Sequence, residues 1–243
     1  MDTVELLEPA LVLDRLGSTA ALSHQTAARR HGLDLIDNGG EHVTVGRNIS
    51  RRTEPGWHVH RRDVRPDDVV VLDGCRVTSA LRTVHDLARV LPLGAALATA
   101  ESALRHRAVL TADLRARLTA SRGAWASGPA TVGRLVTRSD SVLESLAAAL
   151  FHQAGLPPPR RQYDVSECDG ALVARVDFCW PGARLVVEVD GFAFHSDRAA
   201  YRRDRERGND LERLGWRVLR FSWEDVVSRP LQVAAMIGSC LAQ

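Results

Sequence analysis

The sequence predicts an α/β fold in two parts. Residues 141–243 read as a mixed sheet flanked by helices, in the order α-β-β-β-α-β-α, and a smaller mixed α+β region precedes them. Three observations predict this. Hydrophobic residues make up 45% of the 243-residue chain, enough for a real core and against global disorder. In the C-terminal part, apolar positions at a 3.6-residue period alternate with short β-branched runs. Between the parts, Ser121-Arg122-Gly123-Ala124-Trp125-Ala126-Ser127-Gly128-Pro129 is the richest stretch of small residues and turn formers. Residues 121–140 therefore read as a linker between domains at 1–120 and 141–243.

The first part opens with short amphipathic pieces, and residues 18–31 read as a helix. Val43-Thr44-Val45, Trp57-His58-Val59-His60 and Val69-Val70-Val71-Leu72 read as strands. Thr78-Ser79 caps a helix running through Leu81, Val84, Leu87 and Ala88. A second helix spans 94–106, and Thr111 caps a third containing Leu114 and Leu118.

In the second part Ser141 precedes a helix with Leu143, Leu146, Ala147 and Leu150 on one face. Gly155-Leu156-Pro157-Pro158-Pro159 stops it. A strand follows over 161–165, then a turn at Asp169-Gly170. Strands over 172–178 and 184–189 are joined by the Pro181-Gly182 turn. A charged helix covers 198–214, Gly215 ends it, and 216–221 is a strand. A final helix runs over 231–241.

Charge and cysteine content exclude more than they identify. The formal net charge is +2, and all 32 basic residues are arginine, so no lysine is a catalytic residue. Cys75, Cys168, Cys179 and Cys240 are widely spaced with no CxxC pair, so reduced thiols are the simple reading. Apolar runs fall short of the ~20 residues of a membrane span. The acidic opening Met1-Asp2-Thr3-Val4-Glu5 lacks the basic start of a signal peptide. A cytoplasmic protein without membrane contact is expected.

Chemistry concentrates at strand ends. Asp177 and Glu188 interrupt apolar strands, and a buried carboxylate needs a partner or a shifted pKa. Glu188 and Asp190, two apart on a strand, project to one face. Converging acids of this kind suit Mg²⁺ or Mn²⁺ rather than zinc. A structural salt bridge to arginine is the competing reading for Asp177 and Glu188 alike. Glu144, three residues after Ser141, is either the acid of a capping box or a helix-borne acid aimed into the site. Gln162 could orient water or phosphate, or be a surface residue. His195 could act as general base or hold a water.

On the charged helix Arg198, Arg202, Arg205 and Arg213 fall opposite Ala200, Leu211 and Leu214. Such a face is either solvated and ion-paired or a phosphate-contacting surface. His58 and His60, two apart, have metal-binding spacing, but no third ligand is obvious.

These residues carry a resemblance. Ser141-Val142-Leu143-Glu144, Ala154-Gly155-Leu156-Pro157-x-Pro159, Gln162, Arg175-Val176-Asp177-Phe178, Leu185-Val186-Val187-Glu188-Val189-Asp190-Gly191, His195, Asp204-Arg205-x-Arg207, Leu211 and Gly215-Trp216-x-Val218-Leu219-Arg220-Phe221 form one ordered pattern. It resembles domain of unknown function 559, relatives of the very-short-patch-repair endonucleases in the PD-(D/E)XK nuclease superfamily.

The resemblance covers about 40% of the chain. It implies a restriction-endonuclease-like fold with Asp177 and Glu188 as metal-binding acids. Asp190 stands where the superfamily often has lysine. The first part, through Gly74-x-x-Val77-Thr78-Ser79-x-Leu81-Arg82-Thr83-Val84-x-Asp86-Leu87-Ala88-Arg89, is similar to actinobacterial AbiEi-like antitoxin proteins.

The expectation is a Mg²⁺- or Mn²⁺-dependent DNA endonuclease in repair or phage defence. Its metal acids would be Asp177, Glu188 and Asp190, with Glu144, Gln162 and His195 in support. Arg198, Arg202, Arg205 and Arg207 would lie on the DNA backbone. No small-molecule cofactor is expected, and a homodimer is one arrangement by which both strands would be cut. The alternative is a catalytically inactive DNA-binding regulator of the type IV antitoxin kind.

Overall fold

The computed structural model describes residues 8–36, 39–49, 54–123, 125–167, 170–190 and 198–242, with backbone only for 198–205. The chain forms two compact units, Met1–Arg138 and Ser139–Gln243. Within the described residues the first unit holds α1 (Pro9–Leu16), β1 (Ala21–Leu22), α2 (His24–Arg30), β2 (Glu41–Val45), β3 (Trp57–Arg61), β4 (Val69–Leu72), β5 (Cys75–Thr78), α3 (Ala80–Leu87), α4 (Leu93–Arg105), α5 (Thr111–Thr119) and α6 (Ser127–Leu135).

Its sheet has the order β3-β2-β1-β5-β4. β2 runs parallel to β3 and β1 parallel to β5, while β1–β2 and β4–β5 are antiparallel. Val12, Leu16, Leu22, Val43, Val45 and Val77 form the core on it. Beneath α3 lies a buried ionic cluster. Arg82 donates to Asp86 at 2.7 Å and to Asp68 at 3.0 Å, and Arg117 reaches Asp68 at 3.0 Å.

Residues 18–31 are not one helix. Ala21 and Leu22 are fully buried and pair with both β2 and β5, so sheet burial overrides helix propensity there. Ser23 is extended and α2 starts at His24. Thr111 is the first residue of α5 rather than its cap, which is Leu110. Ser127–Leu135, inside the stretch read as a linker, is a helix whose buried Val132 and Gly133 pack in the first unit.

The second unit contains α7 (Val142–Gln153), β6 (Arg160–Ser166), β7 (Leu172–Trp180), β8 (Leu185–Asp190), α8 (Arg198–Arg213), β9 (Arg217–Ser222), α9 (Trp223–Ser228) and α10 (Pro230–Leu241). The expected α-β-β-β-α-β-α order is present, with α9 as an addition. α9 begins in a capping box between Ser222 and Asp225. The sheet order is β6-β7-β8-β9, antiparallel except for the parallel pair β8–β9 that α8 connects.

Val165, Ala174, Val176 and Val186 pack with Leu211 of α8, while Phe178 and Trp180 meet Phe151 of α7. α7 and α8 are thus seated by aromatic and aliphatic contacts to the same sheet. Among the described residues Cys75, Cys179 and Cys240 are free thiols. No helix of the described residues is long and apolar enough to cross a membrane.

Candidate active site

Strand register builds the site. Phe178 pairs with Val187, and continuing that register by one residue sets Asp177 opposite Glu188. Gln162 falls between the pairs Arg161–Phe178 and Tyr163–Val176, which sets it opposite Asp177. Glu188 pairs with Arg220. A transverse row Gln162, Asp177, Glu188, Arg220 therefore crosses all four strands, and residues in register across neighbouring strands are side-chain neighbours.

Asp177 is half-buried at the point where β7 and β8 separate. Its Oδ2 accepts the Val189 N–H at 2.9 Å. Burial pushes its pKa up to about 6 from 3.8, assisted by the charges of Glu144, Glu188 and Asp190 and opposed by the Val189 hydrogen bond. Four carboxyl groups from α7, β7 and β8 thus share one electrostatic neighbourhood. The sequence reading of a lone structural salt bridge at Asp177 has no counterpart in the hydrogen bonds and ion pairs described for it.

Glu188 is buried at 4% exposure and has guanidinium neighbours on both oxygens. Arg220 Nε lies 3.0 Å from Oε2, and Arg207 Nη2 lies 3.0 Å from Oε1. The competing sequence reading, a salt bridge to arginine, is thus met at Glu188, although neither partner was named in the sequence. The signal was available for Arg220 only, through the parallel pairing of two apolar runs. Arg207 is on α8, where the sequence suggested a phosphate contact. His195 and the side chains of Arg198, Arg202 and Arg205 lie outside the described residues.

Glu144 makes half of the expected capping box: its own N–H is capped by Ser141, but its carboxylate returns to Asp140 rather than to the Ser141 N–H, and it also reaches Gln162. Ser141 Oγ accepts the Glu144 N–H at 3.1 Å, the capping contact. The Glu144 carboxylate accepts the Asp140 N–H at 3.2 Å and the Gln162 Nε2–H at 2.6 Å. Gln162 in turn accepts Arg175 Nε–H at 3.0 Å. Gln162 has φ +48 inside a strand, a conformation that costs a non-glycine residue about 1–2 kcal/mol. Strain of this kind is held by its surroundings and clusters at functional sites. Here it turns the carboxamide toward α7.

The oxygen donors suit a hard divalent cation, and Asp177 is the acid whose charge such an ion would most relieve. Asp190 is exposed at the end of β8. Among the described residues no three acids bring ligand oxygens within 4.8 Å of one another.

A restriction-endonuclease-like family model, REase_MTES_1575, matches residues 159–241. It spans the row from Gln162 to Arg220 and omits α7 with Glu144. The uncharacterized proteins MT2308 and Rv2248, from two strains of Mycobacterium tuberculosis, are each 30% identical over 228 residues. The match covers 92% of this chain and 82% of theirs. No solved structure matches the chain.

Proposed function

We propose, for a chain that belongs to the family of the mycobacterial proteins MT2308 and Rv2248 and carries a restriction-endonuclease-like region, that it is a divalent-metal-dependent DNA endonuclease. The observation that carries the reading is the four-carboxyl neighbourhood centred on Asp177, which holds its proton up to about pH 6. Asp177, Glu188 and Asp190 would hold Mg²⁺ or Mn²⁺. The ion would supply Lewis-acid stabilisation of charge on a scissile phosphate.

The chain's own groups divide the remaining work. Gln162 fixes the Glu144 carboxylate, so that acid is positioned before substrate arrives. Asp190, exposed at the end of β8, would either complete the metal ligands or, left free of the ion, orient or deprotonate the attacking water. His195 is the second candidate for that step. Arg207 and Arg220, each more than a third exposed, offer guanidinium forks to a phosphate once Glu188 turns to an ion. Arg198, Arg202 and Arg205 belong to the same proposed DNA contact. A role in repair or phage defence rests on the family resemblances alone.

A second reading has one specific observation in its favour. Glu188 is held by two guanidiniums, an arrangement a non-catalytic DNA-binding regulator would keep without metal. Cleavage of supercoiled plasmid and mismatched duplexes in Mg²⁺, Mn²⁺ or EDTA separates them, with Asp177→Ala alongside. Metal-dependent nicking lost in the variant supports the nuclease. Salt-sensitive DNA binding without nicking on any substrate supports the regulator.

A further inference from the structure

The first unit contains a second concentration of ligands, made of imidazoles rather than acids. His24 opens α2, His42 lies on β2 and His60 on β3. The parallel register pairs His42 with His58 and Thr44 with His60. His42 Nδ1 and His60 Nε2 are 2.9 Å apart. The His24 ring stacks on His60 with centroids 3.7 Å apart, and His58 stacks on His42 at 4.7 Å. Ligand nitrogens of His24, His42 and His60 all lie within 4.8 Å of one another, and among the described residues no other three potential ligands do so.

Two further observations point to a ligand. His24 is 1% exposed and has φ +50, a strained backbone for a residue of its size at a helix start. Its Nδ1 is 3.0 Å from Ser23 Oγ. An Nδ1–H donated to that hydroxyl leaves Nε2 as a lone pair, the outer-shell arrangement by which ligating histidines are oriented.

Burial, then His60, His42 and Arg62, hold His24 down to about 3 against the pull of Asp86. Burial also lowers His60, with His58 and Arg62 in the same direction and Asp86 against. Both rings are therefore neutral at neutral pH, the form that binds metal. Asp86, from α3, supplies the negative charge facing them and is itself bound to Arg82 and His85.

We propose that His24, His42 and His60 bind one divalent transition ion of the zinc class, joining the start of α2 to the parallel pair β2–β3. Three imidazole nitrogens suit Zn²⁺ and its first-row neighbours, and disfavour Mg²⁺. Tetrahedral bonds of ~2.0–2.1 Å place ligand nitrogens roughly 3.3 Å apart. The His42–His60 nitrogens at 2.9 Å and a spread of no more than 4.8 Å are near that value, and the stacked rings must turn for all three nitrogens to face one ion. Three histidines leave a fourth position for water or a substrate atom, the open arrangement of catalytic rather than structural zinc sites. The donors and the unit differ from those of the acid cluster, and the inference does not rest on the nuclease reading.

The test uses the full chain without a purification tag, stripped by chelator and titrated with Co²⁺, then Zn²⁺. One equivalent of Co²⁺ should give the visible absorption of a four- or five-coordinate nitrogen site, displaced by Zn²⁺. His42→Ala and His60→Ala should each weaken binding at least 100-fold, whereas Asp177→Asn should bind as the native chain does. Absence of the absorption in the native chain would overturn the site, and so would a spectrum unchanged in His42→Ala. If His60→Ala does not fold, His42→Gln carries the test, because its ring is only partly buried. Zn²⁺ should then raise the melting temperature of the native chain and leave that variant unmoved. An equal rise in both would count against the proposal.

Discussion

Replacing Asp177 by asparagine should make the metal-free protein more stable while removing its response to Mg²⁺. The folded chain holds the Asp177 proton up to about pH 6, and the unfolded chain releases it near 3.8. Between those values the folded state carries more protons, so its stability falls as pH rises and stays lower above 6. The difference corresponds to about 3 kcal/mol at roughly 1.4 kcal/mol per pH unit. Asparagine keeps an oxygen for the Val189 N–H but adds donors that must find partners, reducing the expected gain to about 1–2 kcal/mol. For a domain of this size that is a rise of several degrees in melting temperature. The assay is thermal unfolding at pH 7.5 in EDTA and in Mg²⁺, for native and Asp177→Asn chains. Native protein should gain from Mg²⁺, and the variant should start higher and gain little. A variant that melts below the native chain in EDTA, or that responds equally to Mg²⁺, would refute the electrostatic account.

Further outcomes are expected at four sites. Gln162→Gly should fold as well as the native chain, because relief of φ +48 offsets the lost Glu144 contact, yet cleave at least tenfold more slowly. Gln162→Ala should lose both stability and rate, which parallel melting and nicking assays resolve. Glu188→Gln should destabilise the second unit by about 1–2 kcal/mol, less than a fully buried pair because Arg207 and Arg220 are more than a third exposed. Urea unfolding measures it. Arg82→Ala should cost about 3 kcal/mol in the first unit by removing the guanidinium that Asp86 depends on, while Asp68 keeps Arg117. Burial works against Asp86 ionisation, but hydrogen bonds from His85 and Arg82 and the Arg82 charge hold it down to about 2. Its contribution is present above 3.8 and fades as pH falls through 2, which acid titration of the melting temperature follows.

The acid cluster was legible because its members break strong local patterns. Asp177 and Glu188 sit in runs otherwise apolar, and burying them demands a reason that needs no partner to be visible. The helix order of the second unit followed from the same contrast of periods. Glu144 stayed ambiguous in sequence because its backbone N–H takes the cap from Ser141 while its carboxylate bonds Asp140 and Gln162.

What escaped depended on distant pairing. Arg220 meets Glu188 only through a parallel register across α8, and His24 and His42 join His60 only once β2 and β3 lie side by side. The spacing of His58 and His60 drew attention to β3, but of that pair only His60 joins the cluster, and its companions His24 and His42 come from segments whose separation carries no spacing rule. The helix read over 18–31 failed for the same reason, since its strand is defined by neighbours on both sides.

The parallel pairing of β8 with β9 sets a clock on biosynthesis. When Asp190 leaves the ribosome, β8 has its β7 partner but its other edge is bare, and Arg207 and Arg220 have not yet emerged. About thirty residues separate β8 from the end of its remaining partner, roughly 2–6 s at ordinary rates of synthesis. During that interval an apolar strand with an open edge stands exposed and Glu188 lacks both counter-charges. Chains interrupted before Ser222 should accumulate as aggregates, whereas interruption after α9 should leave a soluble sheet. Synthesis of β9 thus covers the edge that β8 leaves open.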